Sequence, residues 1–386
     1  MQRYNKAISI VLYGACFFSC FSQVPYFVTS GKTQMVCFPL WILAVVLLFM
    51  NCHFRINKNI LMLFAPASTF FTLIMLYSLF NPSTKYWDSS LLYSFVISLF
   101  IFLVGTMGSN YCDNETLNKI YLSYISGTFI VSVAIFIDYF GFSYDLSSSM
   151  YGYASKNSFA QIILTAIVLL AVHIKPNKRI WLIVKWFVIA FEVLLMMYLR
   201  SRATIVGFIA IVMILTVSRN THRALKYVVV GSGVVLIILL MTNNTFNTIV
   251  FNNILFAGRD ANNLDALTSG RVTILTQFPE LIEGHWIMGL GSIYYECFPL
   301  SAILQFGLFA GGILIIIANI PLFFSFRNTR LSQHWYMLML IAVGYFIDSL
   351  FEGLTPFGAG IKCYFMWFMF GLLIARNERE MTEGIE

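Results

Sequence analysis

Two arginines, Arg200 and Arg202, stand one residue apart in the stretch "MMYLRSRATIVGF", between two apolar runs that are each long enough to cross a bilayer. Charge at such a place is costly and calls for a reason. A guanidinium binds phosphate oxygens in a bidentate fork, stays charged at physiological pH, and tolerates a partly dry environment better than an ammonium group. The pair therefore indicates an anion site at a membrane surface. Snorkelling of the two side chains to the interface is the alternative.

Two more arginines, Arg259 and Arg271, lie in the longest polar segment of the chain. In "LTSGRVTILTQFPELIEG", Thr268 or Ser269 is predicted to cap a short amphipathic helix that Pro279 kinks or ends. This would place Arg271 in the first helical turn, where free backbone N–H groups and the helix dipole favour an anion. A cation there slightly lowers stability, which favours function over simple solvation.

Acid or base chemistry has fewer candidates. His285, in "EGHWIMGLGS", titrates near neutral pH, although a lone loop histidine is commonly only solvated. Three carboxylates fall inside apolar runs, where they are usually paired or functional: Glu192, Asp348 and Glu352. Glu192 is two helical turns from Arg200, and Asp348 and Glu352 share a helical face at i, i+4. We expect them either to hold the outward arginines or to contact substrate.

The composition determines which elements must position these groups. The 386 residues are 59% hydrophobic, 17% aromatic and 11% charged, which excludes a water-soluble globular domain. No P-loop, HExxH, GxSxG or metal-ligand cluster is present in the sequence, so we expect no cofactor and no metal. In a membrane protein the net charge of +7 indicates orientation, and we expect no nucleic acid partner.

The hydropathy pattern predicts an all-α polytopic membrane protein with about twelve transmembrane helices, each needing about 20 apolar residues. We treat residues 1–386 as a single integral membrane domain. The predicted spans lie near residues 8–28, 34–50, 59–80, 91–108, 120–140, 158–174, 180–199, 203–218, 227–242, 299–326, 335–353 and 363–375.

The distribution of Lys and Arg predicts the orientation. With a cytoplasmic N-terminus, the inward segments hold 15 of the 24 Lys and Arg residues, so both termini are expected in the cytoplasm. Lys185 lies within the seventh span and is interpreted as a snorkelling side chain. Two longer outward segments follow, 141–157 and 243–298, and the second forms a large extracytoplasmic loop between the ninth and tenth helices. The outward layer is therefore expected to carry the function.

Three outward stretches together resemble the O-antigen polymerase and ligase superfamily of membrane glycosyltransferases. "YGYASKNSFAQ" is similar to its Gly, Asn, Ala pattern, and "SRATIVGF" to its Ser-Arg motif at the outer start of a span. "SGRVTILTQFPELIEGHWIMGLGS" resembles its Ser-Gly-Arg helix followed by Gly-x-Gly, and "LSAILQFGLFAGGI" its glycine-containing span. The residues that carry the match are Gly152, Asn157, Ala160, Ser201, Arg202, Arg271, Gly289, Gly291 and Gly307. The resemblance covers about residues 145–320.

One departure bears on which branch is closer. Ligases of this superfamily carry a His-Asn pair about eleven residues before the first glycine of the last of these spans, and that position is Glu296 here. The missing histidine favours a polymerase, although Glu296 or the displaced His285 would supply an equivalent. Arg259 followed by Gly270 also fits a loose Arg-Gly spacing of polymerase outer loops.

The resemblance implies a GT-C-like enzyme of the bacterial inner membrane. It would join undecaprenyl-diphosphate-linked repeat units into O-antigen or a related surface polysaccharide at the periplasmic face. Arg202 and Arg271 are assigned to the diphosphate with Arg200 beside them, and Glu296 is the candidate base. Substrate-binding candidates are Lys156, Asn157, His285, Tyr294 and Arg259. Membrane lipid, a chain-length regulator (a polysaccharide co-polymerase) and a flippase are the implied partners.

Two alternatives remain open. An O-antigen ligase would transfer finished glycan to lipid A-core and would differ in its acceptor. A lipid-linked oligosaccharide flippase or transporter would place charge near the membrane midplane and often contains two repeats, whereas here the unusual charge lies on one side.

Overall fold

The fold is taken from a computed structural model of the chain. It describes residues 2–51, 58–140, 153–174, 178–255, 263, 265, 270–358 and 360–383. The described chain is helical, and no β-strand occurs in these ranges. This is the expected response of long apolar runs, because a helix satisfies every backbone polar group within its own segment.

Thirteen longer helices follow in chain order. They are α1 Gln2–Phe21, α2 Thr33–Asn51, α3 Lys58–Phe80, α4 Ser90–Gly108, α5 Asn114–Ile135, α6 Lys156–Val168, α7 Arg179–Tyr198, α8 Arg202–Val217, α9 Arg223–Thr242, α10 Arg271–Ile282, α11 Phe298–Asn328, α12 Gln333–Ser349 and α13 Tyr364–Glu383. Two π-helical turns, Phe136–Phe140 and Leu169–His173, extend α5 and α6. Shorter helical pieces are Pro25–Thr29, Asn244–Thr248, Ile249–Leu255 and Gly360–Cys363.

The helices agree with a polytopic membrane protein. Eight of them are long and apolar enough to span a bilayer: α2, α3, α4, α5, α6, α7, α9 and α11, with their π-helical extensions. Each of the twelve predicted spans overlaps one of the longer helices, and α10 is the additional one. Parts of α1 and α8 are apolar but shorter, at Lys6–Phe21 and Arg202–Val217. Twelve crossings and a GT-C-like arrangement remain predictions.

The most buried element is α13. Residues 361–374 are buried at every position, and Trp367 is fully enclosed. Its indole Nε1 donates to the carbonyl of Pro356, at 2.9 Å. The residues just before α13 are thereby fixed to the helix that follows them.

Helix α11 is interrupted at Gly307, which has φ +73° and ψ 175°. At the break, the backbone N–H groups of Leu290 and Gly291 donate to the carbonyls of Leu304 and Gln305, at 2.8 and 2.9 Å. The Leu308 N–H donates to the carbonyl of Trp286 at 2.7 Å. The "GLGS" and "QFGLF" stretches of the sequence therefore meet in space.

Replacing Gly307 is expected to be costly. A Cβ there would lie 1.9 Å from the carbonyl oxygen of Ile287, and the backbone conformation excludes ordinary L residues. We expect Gly307→Ala to lower the free energy of unfolding by about 2 kcal/mol or more. Gly312→Ala, in the same helix with nothing within 4 Å of its added Cβ, should be neutral or stabilising. Equal unfolding midpoints for the two variants in detergent would contradict this packing.

Three helices bring together the residues singled out in the sequence. Helix α12 runs antiparallel to α8, because Gly344 lies beside Gly207 and the Tyr336 hydroxyl lies 2.8 Å from that of Thr221. It also runs antiparallel to α6, because the hydroxyls of Thr165 and Tyr345 are 3.4 Å apart and Gln333 donates to the carbonyl of Val172. The C-terminal end of α12 therefore lies at the same end of the bundle as the N-termini of α6 and α8.

Candidate functional site

The connection after α12, residues 350–358, is the centre of the candidate site. Two bonds hold it besides that of Trp367: the Ser98 Oγ donates to the carbonyl of Phe357 at 3.0 Å, and the Thr355 Oγ1 donates to the Asp348 carboxylate at 3.2 Å. A Cβ on Gly353 would lie 2.0 Å from the carbonyl oxygen of Tyr295. The loop is thus pressed against the segment that precedes α11.

Arg271 contacts this loop from the start of α10. Its Nη2 donates to the carbonyl of Phe351 at 2.8 Å, and the guanidinium lies 5.4 Å from the centre of the Phe351 ring. The same nitrogen is 3.7 Å from a carboxylate oxygen of Glu296, in a pair whose side chains are 21% and 43% exposed. Arg271 therefore has fixed partners on one side while its counter-ion is open to solvent.

The predicted environment of Arg271 needs correction in two respects. The first helical residue is Arg271, as expected, but the capping position is Gly270 in a left-handed conformation, and the helix continues past Pro279 to Ile282. The expected caps, Thr268 and Ser269, lie outside the described residues. The N–H of Thr273 donates to the carboxylate of Asp265 at 2.9 Å, and this bond lowers the pKa of Asp265. A carboxylate of the chain thus already binds at the helix N-terminus.

Glu352 lies on the same loop. Its Oε1 accepts a hydrogen bond of 2.6 Å from the side-chain amide of Asn157 in the first turn of α6. Burial raises the pKa of Glu352 above its ordinary value, while the charge of Lys362 and the bond from Asn157 act in the opposite direction. The structure therefore contains a largely buried carboxylate that burial favours in its protonated form.

The expected pairing of Asp348 and Glu352 with arginines is wrong. Helix α12 ends at Ser349, so Glu352 lies beyond it and does not share a helical face with Asp348. The partner of Asp348 is Lys362, whose Nζ is 3.2 Å away, with side chains 0% and 1% exposed. Sequence analysis treated Lys362 only as an outward cation. The signal that would have identified it is an intramembrane carboxylate in need of a cation at the next helix start.

Tyr294 lies between the two charged pairs. Its pKa is raised mainly by burial, and further by the charges of Glu352 and Glu296, while Lys362 and Arg271 lower it. Its ring edge would be 3.4 Å from a Cβ on Gly353. We call these residues the outer cluster: Asn157, Arg271, Tyr294, Glu296, Asp348, Glu352 and Lys362.

The "SR" motif lies at the same depth as this cluster. From the contact of Gly207 with Gly344, Arg202 is five residues, about 7.5 Å, along α8, and Asp348 is four residues, about 6 Å, along the antiparallel α12. Arg202 is the first residue of α8, and Ser201 is buried with its hydroxyl 2.9 Å from that of Thr204. The start of α8 and the end of α12 therefore meet at one level.

Arg200 has an unusual backbone. It is the one non-glycine residue with positive φ in the described chain, at +52°, and it is 3% exposed. It follows the end of α7, where its N–H donates to the carbonyl of Met197 at 3.0 Å. Glycine is the residue that ordinarily occupies this position after a helix, because a Cβ is strained there. An arginine at such a site is expected to be retained for its side chain.

This strain is measurable by comparing two variants that both remove the guanidinium. Arg200→Gly should be more stable to unfolding than Arg200→Ala by about 1 kcal/mol, since only the backbone preference differs between them. At Val206, an exposed position inside α8, the order should reverse, with alanine more stable than glycine. An Arg200→Ala variant as stable as Arg200→Gly would show that the left-handed conformation is not adopted.

The other candidates lie apart from the outer cluster or outside the description. His285 is in an exposed turn, where its N–H donates to the carbonyl of Ile282. Lys156 precedes Asn157 as the first residue of α6. Arg259 lies outside the described residues. Glu192 is buried in α7 and accepts a 2.6 Å bond from the Ser132 hydroxyl of α5, so the expected pairing with Arg200 does not form.

The outer cluster has the groups needed for anion binding and proton transfer. Arg271 offers a fixed cation beside an exposed counter-ion, and Glu352 offers a buried carboxylate in a cluster that also holds Tyr294. In the described part of the chain, no group of three or more His, Cys, Asp or Glu side chains is placed to hold a metal ion. Compared with protein-family models and with curated proteins, the chain matches none.

Proposed function

We propose that this protein is a membrane glycosyltransferase that polymerises undecaprenyl-diphosphate-linked repeat units into a surface polysaccharide. One observation carries the proposal: distant stretches of the sequence converge on the 350–358 loop. Asn157 contacts Glu352 across 195 residues, and Arg271 contacts Phe351 across 80. Two of the stretches that resemble the polymerase superfamily therefore end in one group of ionisable side chains. The proposal places this end at the outer face of the bacterial inner membrane, with both chain termini in the cytoplasm.

The proposed reaction is a single glycosyl transfer. A hydroxyl oxygen of the acceptor repeat unit attacks the anomeric carbon of the donor glycan. The new carbon–oxygen bond forms as the bond from that carbon to the lipid diphosphate breaks, and the electron pair leaves on the diphosphate. The hydroxyl proton passes to a carboxylate of the protein. Fixed cations lower the barrier where the negative charge of the leaving group develops.

The cations suited to the diphosphate are Arg271 and, at the same depth, Arg202 and Arg200. The 3.7 Å separation of Arg271 from Glu296 is long for a charge-assisted bond, and Glu296 is 43% exposed. We propose that Glu296 acts as the counter-ion of Arg271 in the empty site and is displaced by the diphosphate. Its exposure removes the reason for assigning it as the base, which was burial.

Glu352 is the better candidate for the base. It is more buried than Glu296, its carboxylate is oriented by Asn157, and it interacts with Tyr294 and Lys362. A base works best when its pKa approaches the working pH, which burial promotes for a carboxylate. The proposal thus transfers the role from Glu296 to Glu352, while Asn157 positions it.

The assignment predicts a specific pH dependence. Glu352 must be ionised to accept a proton, and burial raises its pKa, so the transfer rate should fall with decreasing pH at a midpoint above the ordinary glutamate range. Glu352→Gln should remove nearly all activity, whereas Glu296→Gln should keep measurable activity. A rate constant with pH throughout the ordinary glutamate range, or a fully active Glu352→Gln variant, would contradict the role.

The flippase alternative predicts ionisable residues deep in the membrane that are available to a substrate. Two such residues exist, Glu192 and Lys185, and each has a local partner. Glu192 accepts from Ser132, and the Nζ of Lys185 donates to the carbonyls of Ala171 and Ile174, at 3.3 and 2.8 Å. These bonds give both residues a structural role, so we retain the transferase.

The experiment that tests the function is the surface-glycan pattern of a deletion strain. We expect single repeat units without longer chains, and recovery of the full ladder when the gene is restored. A ligase would instead leave long glycan that is not transferred to its final acceptor, and a flippase would leave repeat units on the inner side of the membrane. Either of those outcomes would overturn the polymerase assignment.

A further inference from the structure

A large cavity lies at the end of the bundle opposite to the 350–358 loop. Its volume is about 1060 Å³, and it is enclosed by the π-helical end of α6, by α7, by the α8–α9 connection and by the start of α12. Thr221 and Tyr336, whose hydroxyls are 2.8 Å apart, line its wall. The charge distribution of the sequence places this end in the cytoplasmic leaflet. The cavity is therefore separate from the outer cluster.

The charged lining of this cavity is entirely positive. Arg219, Arg223 and Arg330 line it together with Lys185, and no Asp or Glu does. Lys185 is held in the wall by its bonds to backbone carbonyls. The three arginines are exposed, and none of the ion pairs between described residues involves them.

The surrounding sequence has the same bias. The three connections 174–179, 217–226 and 327–334 contain eight Lys and Arg residues and no Asp or Glu. Like charges gathered in this way repel one another unless an anion lies among them. The cavity therefore favours a ligand with one or more negative charges.

The other side of the cavity is apolar. Leu182, Trp186, Leu225 and Val228 line it, and Leu225 is the one buried residue of α9. Beyond it α9 presents exposed apolar side chains at membrane depth, among them Val235 and Ile238. A ligand that fits both halves needs an anionic group and a hydrocarbon chain.

We propose that this cavity binds an anionic phospholipid of the cytoplasmic leaflet. The guanidinium groups of Arg219, Arg223 and Arg330 bind the phosphate of the headgroup, and an acyl chain lies along α9. Basic pockets between membrane helices on this side are suited to such headgroups. Free phosphate would satisfy the cations alone and leave the apolar wall without a role.

The test uses the purified full-length protein in phosphatidylcholine-containing detergent micelles, with phosphatidylglycerol added as the probe. Bound lipid is counted by native mass spectrometry, and the unfolding temperature is recorded in parallel. We expect Arg219→Gln/Arg223→Gln/Arg330→Gln to lose affinity by about a hundredfold, which corresponds to about fivefold for each cation. The control is Arg179→Gln/Lys226→Gln/Arg327→Gln, which removes the same charge from the same three connections outside the cavity lining.

The outcomes separate the possible sources of binding. Loss of phosphatidylglycerol from the cavity variant, with the control within about twofold of the natural protein, would support the site. Equal loss in both variants would show general surface attraction and overturn it. Inorganic phosphate that raises the unfolding temperature as much as the lipid does would overturn the choice of a lipid. Glycan elongation is measured separately, so failure of this proposal does not affect the proposed function.

Discussion

Arg271→Ala is expected to reduce glycan elongation by about 10²- to 10³-fold, because removal of a single preorganised group that stabilises developing charge has this effect. The guanidinium is held by the Phe351 carbonyl and lies beside Glu296, so its position is fixed before substrate arrives. The measurement is the rate at which single repeat units are converted into longer chains in membranes that contain equal amounts of each variant.

The control for this prediction keeps the charge. Arg271→Lys retains one positive charge but loses the fork that binds two oxygens, and should show an intermediate rate. Unfolding midpoints of both variants should stay close to that of the natural protein, because the Arg271 side chain is partly exposed. Normal chain-length ladders from Arg271→Ala would remove the proposed role of this residue.

The buried pair of Lys362 and Asp348 gives the largest predicted effect on stability. Both side chains are almost wholly enclosed, at 1% and 0% exposure, and their charged atoms are 3.2 Å apart. Loss of one partner leaves an uncompensated charge in the interior, which typically costs about 3–5 kcal/mol. We expect Lys362→Met and Asp348→Asn each to destabilise the protein by about that amount.

The double variant is the sharper test of this pair. Asp348→Asn/Lys362→Met removes both charges and should recover much of the stability lost by either single variant. Lys119→Met, which breaks the exposed pair of Lys119 and Glu115, should leave the unfolding midpoint unchanged. Additive losses in the double variant, measured by unfolding in detergent, would show that the two charges do not stabilise each other.

Local sequence patterns predicted the helices well because their causes are local. Each of the twelve predicted apolar runs overlaps a helix, and the start of α10 at Arg271 was located by its small polar neighbours and Gly270. Runs of apolar residues need no long-range information to form helices in a bilayer. The break at Gly307 was not predicted, because it depends on the contact with Ile287 from a distant turn.

The site was predicted only in part, because its pairs form across distant segments. Asn157, Arg271, Tyr294 and Glu296 were selected from their residue types and neighbours, and the structure brings them to one loop. The partners of Asp348 and Glu352 could not be deduced from helical spacing, since α12 ends before Glu352. Lys362 was passed over because a lysine beside an apolar run usually reaches the interface.

The left-handed backbone of Arg200 is a further feature that residue patterns do not reveal. In the sequence it is one of two arginines between apolar runs, and Arg202 carried the motif. In the structure Arg202 begins α8, whereas Arg200 occupies a strained position normally filled by glycine. The structure therefore raises Arg200 from a neighbour of the site to a residue that merits its own test.

The most direct test of the account uses purified protein and a synthetic repeat unit on undecaprenyl diphosphate as the only substrate. We predict a ladder of longer lipid-linked glycans with release of undecaprenyl diphosphate, without nucleotide, and no ladder from Arg271→Ala or Glu352→Gln. Absence of any ladder from the natural protein, or an undiminished ladder from both variants, would contradict the central claim that the cationic outer cluster transfers glycan from a lipid diphosphate.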